Sequence, residues 1–226
     1  MNTVAKKQLV VFCDFDGTIT EKDNIVAIFD HFQPTGYREW IQELMDGKIS
    51  IKTCVGGLFE MLPTSNREAI ERQAIDPVRI RAGFAEWLSF CKDHHVSFYV
   101  TSGGIDFFVY PLLAPFDIER DHIYCNASDF SGDQIKIVWP HQCDEHCSRD
   151  CGMCKPSVMR HFPVDQFTRI VIGDGITDVA AAQLADRVYA RSSLLKYCES
   201  NGIASVPYQT FTDIQQDLER WMLQNA

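Results

Sequence analysis

The stretch Val11-Phe12-Cys13-Asp14-Phe15-Asp16-Gly17-Thr18 constrains the fold more than any other, because an apolar run ends in two aspartates one residue apart. QLVVFC reads as a strand buried on both faces, the kind found in parallel sheets, closed by a polar turn. Two carboxylates so close repel each other, and a buried strand end tolerates them only where cations offset the charge. Runs of the same character recur at VSFYVTSGG, TRIVIGDG and DRVYA, with helix-like segments between them. GFAEWLSFCKDHH, for instance, places Phe84, Trp87, Leu88 and Cys91 on one stripe. This alternation predicts an α/β fold, a parallel sheet covered by helices on both faces. Ligands of such sheets bind outside the carboxyl ends of the strands, so Asp14, Ser102 and Asp174 are expected to converge there.

Between the first strand and GFAEWLSF lie roughly 60 residues, where a simple crossover needs about a dozen. DNIVAIFDHF, YREWIQELMDG, SIKTCVGGLFEML and SNREAIERQAI all read as helical, and Ser65 with Glu68 forms a capping-box pattern at the start of the last. Residues 21–82 therefore read as a small helical cap inserted into a core made of residues 1–20 and 83–226. HIYCNASDF and DQIKIVWP read as two short strands around Ser131-Gly132-Asp133. A net charge of -10 without a Lys/Arg cluster argues against nucleic acid as a partner. The N-terminal apolar run meets Asp14 too soon for a signal segment or a membrane span, which makes the cytoplasm the expected location. Nine cysteines, an odd number in a chain of 226 residues, read as reduced thiols or metal ligands rather than disulfides.

Asp14 and Asp16 face opposite ways while the chain is extended, but both approach one ligand where it turns. Gly17 permits the turn, and Thr18 offers a hydroxyl and an N–H to phosphate oxygens. A calcium loop fails on spacing, since its glycine follows three acidic or amide positions rather than two. DFDGT closing a buried strand, Ser102 closing SFYVTS, Lys155 before a helix, and GDGITD closing TRIVIGD stand in the order of the motifs of the haloacid dehalogenase superfamily, which the chain resembles. The resemblance implies a Rossmann-like parallel sheet with an inserted helical cap, and a phosphatase rather than a dehalogenase, because Asp16 is acidic. It also implies roles: Asp14 as the nucleophile that becomes an aspartyl-phosphate, and Asp16 as the acid and base. Thr18, Ser102, the N–H of Gly103 and Lys155 would hold phosphate. Mg2+ would be held by Asp14, the carbonyl of Asp16 and Asp174. Asp178 is then a further metal ligand, a partner of the ligands, or a first-turn helix acid.

A cap between the first and second motifs resembles the phosphoserine-phosphatase-like branch of the superfamily. In that branch an acidic residue nine positions after the nucleophile holds the substrate's amino acid, a place that Asp23 fills. The branch also uses a cap arginine, but GKISIKTCVGGLFEMLPTS contains none, and Lys48 or Lys52 would serve only as a point charge. Phosphoserine or another amino-alcohol phosphate is thus the alternative substrate. TSGGIDFFVYPLL, CNASDF, IVWPHQC and CGMCKPS resemble a group of bacillary phosphatases of methionine salvage that act on a methylthio-bearing enol phosphate. Cap residues Ile49, Ile51, Val55, Leu58, Phe59 and Met61 read first as packing. Cys143, Cys147, Cys151 and Cys154, interleaved with His141 and His146, leave three readings: a structural Zn2+ site, plain thiols, or a redox pair Cys151–Cys154. A reading of a different class is a non-catalytic module that uses this loop as a zinc-dependent binding surface.

Overall fold

The computed structural model of the chain describes residues 7–225. The start of the N-terminal run, residues 1–6, lies outside the described residues. In chain order the elements are β1 (Gln8–Cys13), α1 (Asn24–Phe32), α2 (Tyr37–Met45), α3 (Ile51–Glu60), α4 (Arg67–Ile75), α5 (Phe84–Asp93), β2 (Ser97–Ile105), α6 (Asp106–Leu113) and β3 (Ile123–Asp129). They continue as β4 (Lys136–Val138), α7 (Lys155–Arg160), β5 (Phe167–Gly173), α8 (Val179–Ala182), β6 (Arg187–Ala190), α9 (Ser192–Asn201), β7 (Val206–Pro207) and α10 (Phe211–Gln224). The strands form one sheet in the order β4-β3-β2-β1-β5-β6-β7, parallel except for the β3–β4 hairpin. β1 lies between β2 and β5, where the strand order reverses, and that reversal opens the crevice at its carboxyl end.

Alternation along β1 feeds two cores. Val11 and Cys13 join a large cluster with Phe84, Trp87, Phe211 and Leu218 of α5 and α10, while Val10 and Phe12 pack against Val158 and Met159 of α7 on the other face. The four helices α1–α4 stand between β1 and β2, as the sequence predicts, and share the larger cluster with the sheet: Phe59 of α3 meets Phe107 of α6 at 6.1 Å. Leu58 and Phe59 are buried, and Ile49, Val55 and Met61 pack against the same cluster. The segments before α1 and after α4 pair at Thr20 and Ile80. Among the described residues no helix is long and apolar enough to cross a membrane.

Two local expectations are corrected. Ser65 sits inside a short 3-10 turn, Thr64–Asn66, and the residue before α4, Asn66, makes no side-chain cap bond. Its neighbour Thr64 is drawn instead to the β3–β4 hairpin, donating its N–H to the Asp133 carbonyl at 3.0 Å and its hydroxyl to the Gly132 carbonyl at 2.7 Å. β2 also does not stop at Ser102 but runs on to Ile105, with a register shift against β3 between Thr101 and Ile105.

Candidate active site

Asp14 follows the last residue of β1, and its N–H continues the ladder to the Ile172 carbonyl of β5 at 2.9 Å. Phe15–Ile19 then form a single wide turn, closed by Thr20 N–H on the Phe15 carbonyl at 2.9 Å. Gly17 has φ +78°, and a Cβ there would lie 2.5 Å from Asp174 Oδ2, so both backbone and space require glycine. The turn is held from outside by Arg81, whose guanidinium donates to the carbonyls of Thr18 and Gly17 at 2.7 Å each and of Thr20 at 3.0 Å.

Lys155, the first residue of α7, reaches across to Asp14 Oδ1 at 2.5 Å and also contacts Asp178 Oδ1. Asp178 accepts from the N–H groups of Asp174 and Gly175 at 3.1 and 3.0 Å, so it ties the turn after β5 to the lysine. Asp14, Ser102 and Lys155 are only 5%, 0% and 4% exposed, which means the centre is covered. Carboxylate oxygens of Asp14, Asp174 and Asp178 lie within 4.8 Å of one another. Three carboxylates against one ammonium leave two negative charges uncompensated, which a divalent cation would balance. Hard oxygen donors, with glycine at position 17 leaving Asp174 its room, fit Mg2+.

The electrostatics agree with this crowding. Burial, and after it the charge of Asp178, raises Asp174 from 3.8 to about 6. Burial also drives Asp14 upward, with Asp178 and Asp174 adding to it and Lys155 opposing. Asp16 is raised well above its ordinary value by burial first and then by Asp23, although the Asn24 N–H donates to its carboxylate at 3.0 Å. Lys155 resists its own burial and keeps its charge because Asp14 and Asp178 flank it.

Three of the expected site residues have partners within the chain. The Thr18 hydroxyl, expected to face phosphate, donates to Asp174 Oδ1 at 3.3 Å. Gly103 lies within β2, and α6 begins only at Asp106. Its carbonyl accepts from the Asn126 amide at 2.8 Å, and the Ser102 hydroxyl oxygen accepts from the Gly104 N–H at 2.8 Å. Asp23 caps α1, its carboxylate accepting from Val26 N–H at 2.9 Å, and remains exposed at the edge of the site. Arg81, Asn126, Gly104 and Tyr208, whose hydroxyl lies 3.5 Å from that of Thr18, were not singled out by motif; only the small-residue run Ser102-Gly103-Gly104 hinted at a close approach. Cys143, Cys147, Cys151 and Cys154 do converge, in the loop before Lys155.

A family model of haloacid dehalogenase-like hydrolases matches residues 11–183, and the chain belongs to that family. It is an enzyme, a phosphoric monoester hydrolase. A protein of Brevibacillus brevis named 2-hydroxy-3-keto-5-methylthiopentenyl-1-phosphate phosphatase is 48% identical over 214 residues, 95% of this chain and 96% of that one. One of Geobacillus kaustophilus with the same name is 47% identical over 214 residues, covering 95% and 97%. Among solved structures, a phospho-aspartyl intermediate analogue of phosphoserine phosphatase superposes with a TM-score of 0.69 at 19% identity, covering 93% of this chain and 99% of that one, a likeness of fold.

Proposed function

We propose that this hydrolase removes phosphate from 2-hydroxy-3-keto-5-methylthiopentenyl-1-phosphate, as a cytoplasmic enzyme of methionine salvage. The observation that carries the substrate is 48% identity over 95% of the chain to a relative named for that activity. Asp14 attacks phosphorus through a carboxylate oxygen as the bond from phosphorus to the substrate oxygen breaks, giving an aspartyl-phosphate. Asp16, kept protonated by its surroundings, gives its proton to the departing oxygen and then, as a carboxylate, takes one from the water that releases phosphate and regenerates Asp14. Lys155 holds Asp14 in line and faces the phosphoryl charge, with the Ser102 hydroxyl and the Gly103 N–H as phosphate ligands. Bound by Asp14, the Asp16 carbonyl and Asp174, with Asp178 behind them, Mg2+ would neutralise charge on the phosphoryl oxygens. Thr18 aims Asp174 and would offer its N–H to phosphate, and Asp23 would contact the substrate.

Residues 21–82 act as the cap over a core of residues 1–20 and 83–226, and the apolar interior of the cap suits a methylthio tail. The buried Asp14–Lys155–Asp178 cluster supports catalysis over a non-catalytic zinc-dependent module. The test is hydrolysis of the enol phosphate and of phosphoserine by the purified protein, with and without Mg2+. The enol phosphate should have the higher kcat/KM, only with Mg2+, and Asp14→Asn should lose about a thousandfold or more. Preference for phosphoserine would discard the substrate and keep the mechanism; full activity in Asp14→Asn would discard both.

A further inference from the structure

The loop between β4 and α7 holds four cysteines that phosphoryl transfer does not use. Their Sγ atoms all lie within 4.8 Å of one another, and none is in a disulfide. Cys147 and Cys151 have their sulfurs 3.8 Å apart. A disulfide would hold them at about 2.05 Å. A tetrahedron with metal–sulfur distances of about 2.3 Å sets its sulfurs about 3.8 Å apart. The Cys151 N–H donates to Cys143 Sγ at 3.4 Å, a contact that favours sulfur as thiolate. Positive φ at Asp150 and Gly152, 52° and 76°, bends the chain so that Cys151 and Cys154 face one point. The neighbouring histidines lie apart from it: the His141 ring packs edge-on against Tyr124 at 5.0 Å, and exposed His146 has Nε2 3.5 Å from Glu145.

We propose that Cys143, Cys147, Cys151 and Cys154 bind one structural Zn2+ that braces the loop presenting Lys155 and fastens it to the cap. Four soft thiolates select Zn2+, whereas the carboxylates of the catalytic centre select a hard ion, so the two sites sort their metals by chemistry. On binding, the thiols release their protons to solvent. The loop is placed to transmit position in both directions. Cys154 immediately precedes Lys155 and donates its N–H to the His141 carbonyl at 2.8 Å, and Asp144 pairs with Arg160 of α7 through two bonds, one of 2.6 Å. Toward the cap, Asp150 accepts from the hydroxyl of Ser50, the residue before α3, at 2.6 Å and from Lys52 in its first turn. Trp139 fills the seam, its ring 3.5 Å from where a Cβ on Gly56 of α3 would stand and 2.6 Å from where one on Gly152 would.

Full-length protein purified without chelator should contain about one Zn2+ per chain by inductively coupled plasma mass spectrometry. Growth on Co2+ should yield the ligand-field and charge-transfer bands of tetrahedral thiolate coordination. Cys147→Ser and Cys143→Ser should lose at least about nine-tenths of the metal, and their kcat with saturating Mg2+ should fall several-fold as Lys155 loses its brace. Asp14→Asn should keep its full zinc. Should the serine variants fail to fold, metal content and the cobalt spectrum of the parent chain decide alone. Parent protein that holds no Zn2+ after incubation with it and desalting, that carries a Cys151–Cys154 disulfide as purified, or whose serine variants retain full zinc would overturn the site. Stoichiometric zinc with no phosphatase activity leaves the site standing and overturns the proposed reaction instead.

Discussion

Asp16 is the residue whose environment says most about the reaction. It has a backbone N–H for company but no cation of its own, and burial with the nearby charge of Asp23 raises its carboxyl well above the ordinary range. In the proposed reaction an acid so placed is protonated while Asp14 attacks as a carboxylate, the form that Lys155, 2.5 Å away, favours against the burial of Asp14. Activity that depends on the protonated form falls as pH rises through a raised pKa, so kcat/KM should decline on the alkaline side. Asp16→Asn keeps an acceptor for the Asn24 N–H and removes the proton; kcat should drop by roughly 10²–10⁴-fold and the alkaline limb should flatten. A pH–rate profile of both proteins checks this, and an unaltered alkaline limb in the variant would move the acid elsewhere. The convergence of Asp14, Lys155, Asp174 and Asp178 was legible in the sequence because each stands next to a strand end or at a helix start, positions that the sheet itself brings together. The target of Thr18 was not, since the direction of a hydroxyl depends on the shape of the turn, here closed over Gly17 at φ +78°.

Among the elements, the Phe15–Ile19 turn depends on a residue far from it in the chain. Arg81 lies on the segment between α4 and α5 and is buried, yet its partners are four carbonyls, three of them at the turn, rather than a carboxylate. Nothing in the sequence marks such a side-chain-to-backbone clamp, because its partners carry no side-chain signature. Arg81→Ala would leave those buried carbonyls unsatisfied and should destabilise the protein by about 3 kcal/mol or more, seen as a lower urea midpoint. Arg81→Lys should recover only part of it, since an ammonium cannot match the planar fork. A change under about 0.5 kcal/mol in the alanine variant would show that the turn holds itself. Strand β2 teaches a related lesson: Gly103-Gly104 reads as a turn, but a Cβ on Gly104 would sit 2.6 Å from Asp16 Oδ2. Glycine there marks a close approach within a strand, a meaning that sequence alone does not separate from a turn.

On the scale of the whole molecule, the four helices between β1 and β2 were readable from their spacing, but their attachment to the sheet was not. These helices and the sheet share one apolar cluster, and Leu62 and Thr64 bond to the β3–β4 hairpin, contacts between segments some 70 residues apart that no local pattern announces. The centre concentrates negative charge within a chain of net charge -10, and stability should register that concentration. Asp174 titrates at about 6 rather than 3.8 because of burial and then Asp178, and Asp14 is raised in the same sense by burial. Without metal, the folded protein therefore binds protons that the unfolded chain has already released. Its stability is greatest below the unfolded value of 3.8 as far as these groups are concerned, and falls as pH rises through about 6, with Asp14 extending the decline upward. Mg2+ binds only the deprotonated carboxylates, so its addition should raise Tm more at about pH 8 than at about pH 5. Asp174→Asn should lose most of that difference while remaining folded, because it removes one ligand charge and the repulsion that came with it. Differential scanning fluorimetry across pH, with and without Mg2+, makes the comparison. Equal Mg2+ shifts at both pH values would mean that the cation acts somewhere other than on these carboxylates.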